Sequence, residues 1–227
     1  MTHPYPCPPQ AIIFDMDGLL VDSEKLWKIA ETGWLADRGA TYSDEKHAPF
    51  IGMALPEFVP HIRQAYGLDD DAETLLADLM QRIITLIETQ TTPQPGAAQM
   101  VDYVASYNIP HAIASSSPMA VIEATLNSQP TWAEVFAVRC SADEVPNGKP
   151  APDVYALAAE RLGVQAAQCI ALEDSRNGAR AAVAAGMTCF VVPDLTHAAP
   201  SDFEEITPFV FATLHEALAT IRGCYGG

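Results

Sequence analysis

The apolar positions of this chain follow two periodicities, and the switches between them divide it. Residues 11–14, Ala-Ile-Ile-Phe, are an unbroken apolar run that suits a strand covered on both faces, as in a parallel sheet. From Ser23, a candidate N-cap with Glu24 behind it, the spacing turns helical. Leu26, Trp27, Ala30, Trp34 and Leu35 make one stripe, closed by Gly39. Leu55, Phe58, Val59, Ile62 and Tyr66 make a second, with Pro60 early in it or kinking it and Gly67 ending it. Leu75, Leu76, Leu79, Met80, Ile83, Ile84 and Ile87 make a third, over 71–89.

The Thr-Thr-Pro-Gln-Pro-Gly run at 91–96 breaks the helical pattern, and strands then alternate with helices. The spacing predicts helices over 97–107, 118–126, 153–162, 177–185 and 214–221. It predicts strands over 111–114, 136–140, 169–172 and 188–192, with a further one at 209–211. Such an order argues for an α/β fold, a doubly wound, Rossmann-like parallel sheet. The expected division is a core of 1–24 and 91–227 and an all-helical insert of 25–90, placed as a cap over the strand ends.

Composition narrows the partners. The 227 residues are 49% hydrophobic, enough for a sizeable core, and carry a formal charge of −17 with only twelve Lys and Arg. Nucleic acid and an anionic membrane surface are thereby disfavoured. A phosphate ligand is not, because screening over roughly 8 Å lets one lysine and a metal ion set the local field. The five cysteines, Cys7, Cys140, Cys169, Cys189 and Cys224, are scattered without a CxxC pair and read as reduced, mostly buried thiols. No apolar stretch is long enough to span a membrane and no secretory signal opens the chain, so the expected location is the cytoplasm.

The candidate chemistry lies at the predicted strand ends. Asp15 and Asp17 stand two apart where the first strand stops, and Gly18 permits a turn that aims both carboxylates into one crevice. Either aspartate alone would be an ordinary turn residue. In a parallel sheet, however, Ser115, Glu173 and Asp174 end later strands at the same edge. Lys149 joins them from a proline-stiffened loop, Gly-Lys-Pro-Ala-Pro-Asp, although a lysine there is ordinarily solvated. Clustered carboxylates with no His or Cys nearby suit Mg2+. Carboxylate, hydroxyl, lysine and Mg2+ together describe phosphoryl transfer.

The run DMDGLLVDSE at 15–24 resembles the first motif of the haloacid dehalogenase-like hydrolases, in the branch of phosphosugar phosphatases and β-phosphoglucomutase. Four motifs in order extend the resemblance over nearly the whole chain. It implies that Asp15 is the nucleophile forming an aspartyl-phosphate, and that Asp17 is the acid and base whose backbone carbonyl also helps bind Mg2+. Ser115 and the amide of Ser116 would hold the phosphate with Lys149. Glu173 and Asp174 would position the metal, Asp174 more directly. The implied activity is a Mg2+-dependent phosphatase acting on a small phosphorylated metabolite, a sugar phosphate foremost, in a monomeric protein.

The same resemblance leaves rivals. Asp17 disfavours a dehalogenase. β-Phosphoglucomutases carry a histidine twelve residues after the nucleophile, where this chain has Trp27, as in relatives that dephosphorylate hexose phosphates; Trp27 suits helix packing equally well. The 50–53 segment, with Gly52 and Met53, resembles the family's specificity loop, and 22–23 and 91–93 are candidate hinges. A metal- and phosphate-binding module without turnover is the reading from another class. The histidines have no metal-type spacing.

Overall fold

The computed structural model describes residues 3–50, 55–195 and 198–225. In chain order the elements are β1 (Ala11–Phe14), α1 (Glu24–Ala36), α2 (Asp44–His47), α3 (Leu55–Tyr66), α4 (Ala72–Gln90), α5 (Ala97–Ser106) and β2 (His111–Ser115). There follow α6 (Met119–Asn127), α7 (Trp132–Val135), β3 (Arg139–Ser141), α8 (Asp153–Leu162), β4 (Cys169–Glu173), α9 (Arg176–Ala184), β5 (Thr188–Val191) and α10 (Leu214–Gly223). The five strands form one parallel sheet in the order β3-β2-β1-β4-β5.

β1 is central and fully buried, which explains its lack of polar residues. Its side chains alternate between two cores. Ile12 and Phe14 face a large-residue layer that includes Met100 and Val104 of α5, Ile122 of α6 and Leu218 of α10. Ala11 and Ile13 face the other layer, where Ala112, Ala114, Ala171 and Cys189 keep the sheet surface shallow and α8 and α9 pack with Tyr155, Ala158, Ala179 and Ala182. The small side chains on that face let α8 lie close against the strands.

The three predicted helical stripes appear as α1, α3 and α4. Leu26, Ala30, Trp34 and Leu35 of α1 are buried, as are Phe58, Val59 and Ile62 of α3 and Leu75, Leu79, Ile83 and Ile87 of α4. Pro60 lies inside α3. Asp71 caps α4, accepting from Thr74 N–H at 2.8 Å. The short α2, which the spacing does not predict, carries His47 into the interior, where its ring stacks on Tyr42 with centroids 4.1 Å apart.

Three expectations need correction. The strand expected at 136–140 is Arg139–Ser141, because Trp132 and Phe136, four apart, turn into the core around α7, and Phe136 meets Phe14 edge to face at 5.4 Å. The strand at 209–211 reduces to one bridge between Val191 and Val210. The five cysteines are not all reduced thiols: Cys7 and Cys224 form a disulfide, while Cys140, Cys169 and Cys189 are free and buried. A separation of 217 residues left no spacing signal for that pairing. It arises because the N-terminal lead-in passes the end of α10, where Tyr225 Oη also donates to Pro9 O at 3.2 Å. Among the described residues, no helix is long and apolar enough to cross a membrane.

Candidate active site

The strand order reverses between β1 and β4, where a doubly wound sheet opens a crevice beyond its strand ends. Asp15 N–H donates to Leu172 O at 2.9 Å, prolonging the β1–β4 pairing by one residue, and the Asp15 carboxylate then leaves the sheet at that reversal. A tight loop follows, in which Gly18 N–H donates to Val21 O and Leu20 N–H to Met16 O, each at 2.9 Å. Gly18 has φ +81°, and a Cβ on it would overlap Asp174 Oδ2. Glycine is therefore required twice, by backbone conformation and by the approach of Asp174.

Lys149 reaches into this crevice and is almost entirely buried. Its Nζ donates to Asp15 Oδ1 and to Glu173 Oε1, both at 2.6 Å. Glu173 is held on every side. Tyr155 Oη donates to the same Oε1 at 2.6 Å, and Oε2 accepts from Asp174 N–H, Ser175 N–H and Ser175 Oγ at 3.1–3.2 Å. Asp174 is the contrast, because its Oδ1 is buried without a hydrogen-bond partner among the described residues. A buried carboxylate oxygen left in that condition is costly unless a cation or ligand meets it.

Oxygens of Asp15, Glu173 and Asp174 lie within 4.8 Å of one another. Burial pushes Asp15 up to about 7, against the pull of Lys149 and with additions from Glu173 and Asp17. Asp174 is held well above the usual carboxylate range, first by burial and then by Asp15 and Glu173. Burial acts to lower Lys149, but the two carboxylates outweigh it and keep the side chain an ammonium. One ammonium is thus shared among three crowded carboxyls. An all-oxygen donor set with an orphaned oxygen fits a hard divalent cation such as Mg2+.

Asp17 stands apart from that cluster. Its Oδ1 accepts from Ser23 Oγ at 2.6 Å, and its Oδ2 accepts from Ser117 Oγ at 2.7 Å and Ser115 Oγ at 3.2 Å. Ser23 precedes α1 as expected but makes no side-chain cap; its hydroxyl is committed to Asp17 instead. Ser115 ends β2 and also accepts from Ser117 N–H at 2.9 Å, whereas Ser116 is exposed.

Asp15, Lys149, Glu173 and Asp174 are therefore brought together, with Asp17 and Ser115 joined to each other beside them. Trp27 is half-buried against the core of α1. Gly52 and Met53 lie outside the described residues. Reading by motif missed Ser117, Ser175 and Tyr155. Tyr155 did leave a signal, since it falls on the apolar stripe of α8 and a buried phenol needs a partner.

The profile of the haloacid dehalogenase-like hydrolases matches residues 12–192. Hexitol phosphatase B of Escherichia coli strain K12 is 35% identical over 186 residues, 81% of this chain and 83% of that protein. A phosphorylated carbohydrates phosphatase of Thermotoga maritima is 30% identical over 178 residues, 78% of this chain and 82% of that protein. Among solved structures, CbbY from Rhodobacter sphaeroides in complex with phosphate matches with a TM-score of 0.80 at 26% identity, over 92% of this chain and 96% of that one. A parallel sheet with this crevice and a profile match across both of its sides lead to one conclusion: the chain belongs to the haloacid dehalogenase-like hydrolases.

Proposed function

We propose that this protein is a Mg2+-dependent phosphatase that releases phosphate from a small phosphorylated metabolite, a sugar or sugar-alcohol phosphate foremost, through an aspartyl-phosphate on Asp15. The observation that carries this reading is the Lys149 ammonium fixed 2.6 Å from Asp15 Oδ1 beside the partnerless Asp174 Oδ1. The names of the two phosphatase relatives support the substrate class.

In this reading an Asp15 oxygen attacks phosphorus, and the bond from phosphorus to the ester oxygen breaks. Asp17 gives its proton to the departing oxygen, so that the alcohol leaves neutral. Asp17, now ionised, takes a proton from water as the water oxygen attacks the phosphoryl group, and Asp15 is released with inorganic phosphate. Lys149 spreads its charge over the phosphoryl oxygens and keeps Asp15 aimed, with Ser115 and the Ser116 amide as further phosphate donors. Asp15, Asp174 and the Asp17 carbonyl would hold Mg2+, with Glu173 behind them. When bound, the ion neutralises charge on the transferring group.

The helices of 25–90 act as a cap over the core of 1–24 and 91–227 in this account. The two chain crossings run side by side, with Asp22 N–H donating to Thr92 O at 3.1 Å, and would serve as the hinge. Because Ser23 sits at that crossing and holds Asp17, cap position and the proton carrier would move together. Trp27, where mutases carry histidine, favours the phosphatase, and the protein is taken as a monomer. The test is phosphate release from a panel of hexose, hexitol and pentose phosphates with Mg2+ or with EDTA. Metal-dependent release from members of the panel is expected; silence with every member would overturn the reading.

A further inference from the structure

We propose that Tyr155 is the positioning residue that holds Lys149 on Asp15, acting through Glu173. This deepens the phosphatase reading and rests on it for the catalytic consequence. Tyr155 lies in the first turn of α8 and has no exposed surface. It touches the lysine–glutamate pair twice. Its hydroxyl donates to Glu173 Oε1 at 2.6 Å, and its ring lies beneath the Lys149 ammonium, 5.0 Å from Nζ to the centroid. The phenol oxygen is 3.5 Å from Nζ, at the edge of contact, so the ring face and the shared carboxylate carry the interaction.

The arrangement solves a problem peculiar to a long, flexible lysine. An ammonium can rotate its three donors and follow either carboxylate, and its four-carbon stem has many rotamers. Here Glu173 is gripped by five donors: Lys149, Tyr155, the Asp174 and Ser175 amides and the Ser175 hydroxyl. Four of these do not depend on Lys149, so Glu173 is a fixed post to which the lysine is tied. Among the described residues Tyr155 is the one that braces Oε1, the oxygen that the lysine uses; the other three donors grip Oε2. Removing the phenol hydroxyl frees Oε1 to swing and Lys149 to follow it away from Asp15. A buried phenol could satisfy its hydroxyl on any acceptor within reach, and this one uses the lysine's own acceptor.

Tyr155→Phe separates the two roles, since it keeps the ring, the packing and the cation–π face. The first readout is side-chain order at Lys149, from 13C relaxation of its ε-methylene in the full-length protein, assigned by loss of the signal in Lys149→Met. A rigid Lys149 in the wild type and a mobile one in Tyr155→Phe are expected; equal rigidity in both overturns the proposal. The second is steady-state kinetics at saturating Mg2+. Tyr155→Phe is expected to lower kcat about tenfold, the worth of one hydrogen bond expressed as a rate, with KM within about twofold. It should cause no further loss when added to Lys149→Met. The same fold-loss in both backgrounds would show that Tyr155 does not act through Lys149. Should the wild type release no phosphate at all, the phosphatase reading fails by itself, and the relaxation measurement still decides whether Tyr155 positions the lysine.

Discussion

Lys149 donates to Asp15 Oδ1 at 2.6 Å from a position 134 residues away in the chain, and its ammonium also bridges to Glu173. Lys149→Met should therefore damage two properties at once. Loss of a preorganised charge beside the reacting phosphoryl group is expected to lower kcat by about 10²–10³-fold. Asp15 and Glu173 would also be left buried without a countercharge, so the melting temperature should fall, and by more at pH 8 than at pH 5. The sign follows from protonation, because Asp15, already pushed up to about 7 by burial, loses the downward pull of Lys149 and is neutral at the lower pH. Thermal melts across that range check this; a loss independent of pH would contradict it.

Gly178 in the first turn of α9 lies under the carboxyl group that anchors Lys149: a Cβ there would overlap Glu173 Oε1 and Cδ. Gly178→Ala is expected to displace Glu173 and lower kcat. Stability should fall as well, since displacing a buried, hydrogen-bonded carboxyl group costs more than the roughly 1 kcal/mol that alanine adds to the helix. Kinetics beside a thermal melt separate the two effects. Full activity in Gly178→Ala would mean that Glu173 can move without consequence.

Much of this site is legible in the sequence, for a physical reason. Asp15, Asp17, Ser115, Glu173 and Asp174 follow apolar strands, and a parallel sheet gathers such positions at one edge. Lys149 is legible only through its motif, since nothing local separates it from a solvated lysine. Tyr155 and Ser117 are hidden because their roles come from tertiary contacts; each would pass for an ordinary core or turn residue. Strand β3 is misplaced for a related reason. Phe136 and the apolar residues after it resemble a strand, but the packing of Trp132 and Phe136 around α7 takes the first of them.

The disulfide between Cys7 and Cys224 joins the two ends of the chain around nearly its whole length. Cross-linking so long a loop restricts the unfolded chain, worth up to about 5 kcal/mol in the chain-entropy view. Reductant, or the pair Cys7→Ser and Cys224→Ser, is expected to lower the melting temperature by about 5–10 °C. Because neither cysteine approaches the carboxyl cluster, kcat should be unchanged. Identical melting with and without reductant would contradict the stabilising role.

Glu31 on α1 is pushed up to about 7 by burial, and its Oε2 lies 3.3 Å from His47 Nε2. Burial also lowers His47, so the imidazole stays neutral and supplies no countercharge at neutral pH. A carboxyl that holds its proton more tightly when folded stabilises fully below its ordinary value near 4.5, and that contribution is lost as pH rises through about 7. Glu31→Gln should therefore gain stability relative to the wild type between about pH 4.5 and 7, by up to about 3 kcal/mol, and hold that gain above pH 7. Denaturant titrations at several pH values test the slope. A difference that stays flat with pH would show that folding does not raise the Glu31 carboxyl above its ordinary value.

The most direct test of the central claim is to catch the phosphoryl group on Asp15. The protein would be mixed with Mg2+ and a sugar phosphate that it hydrolyses, quenched in acid within one turnover, and digested for mass spectrometry. The mass of one phosphoryl group is expected on the peptide carrying Asp15, absent from Asp15→Asn, which should fold and not turn over. Turnover by the wild type with no label at Asp15, or sustained turnover by Asp15→Asn, would contradict the claim.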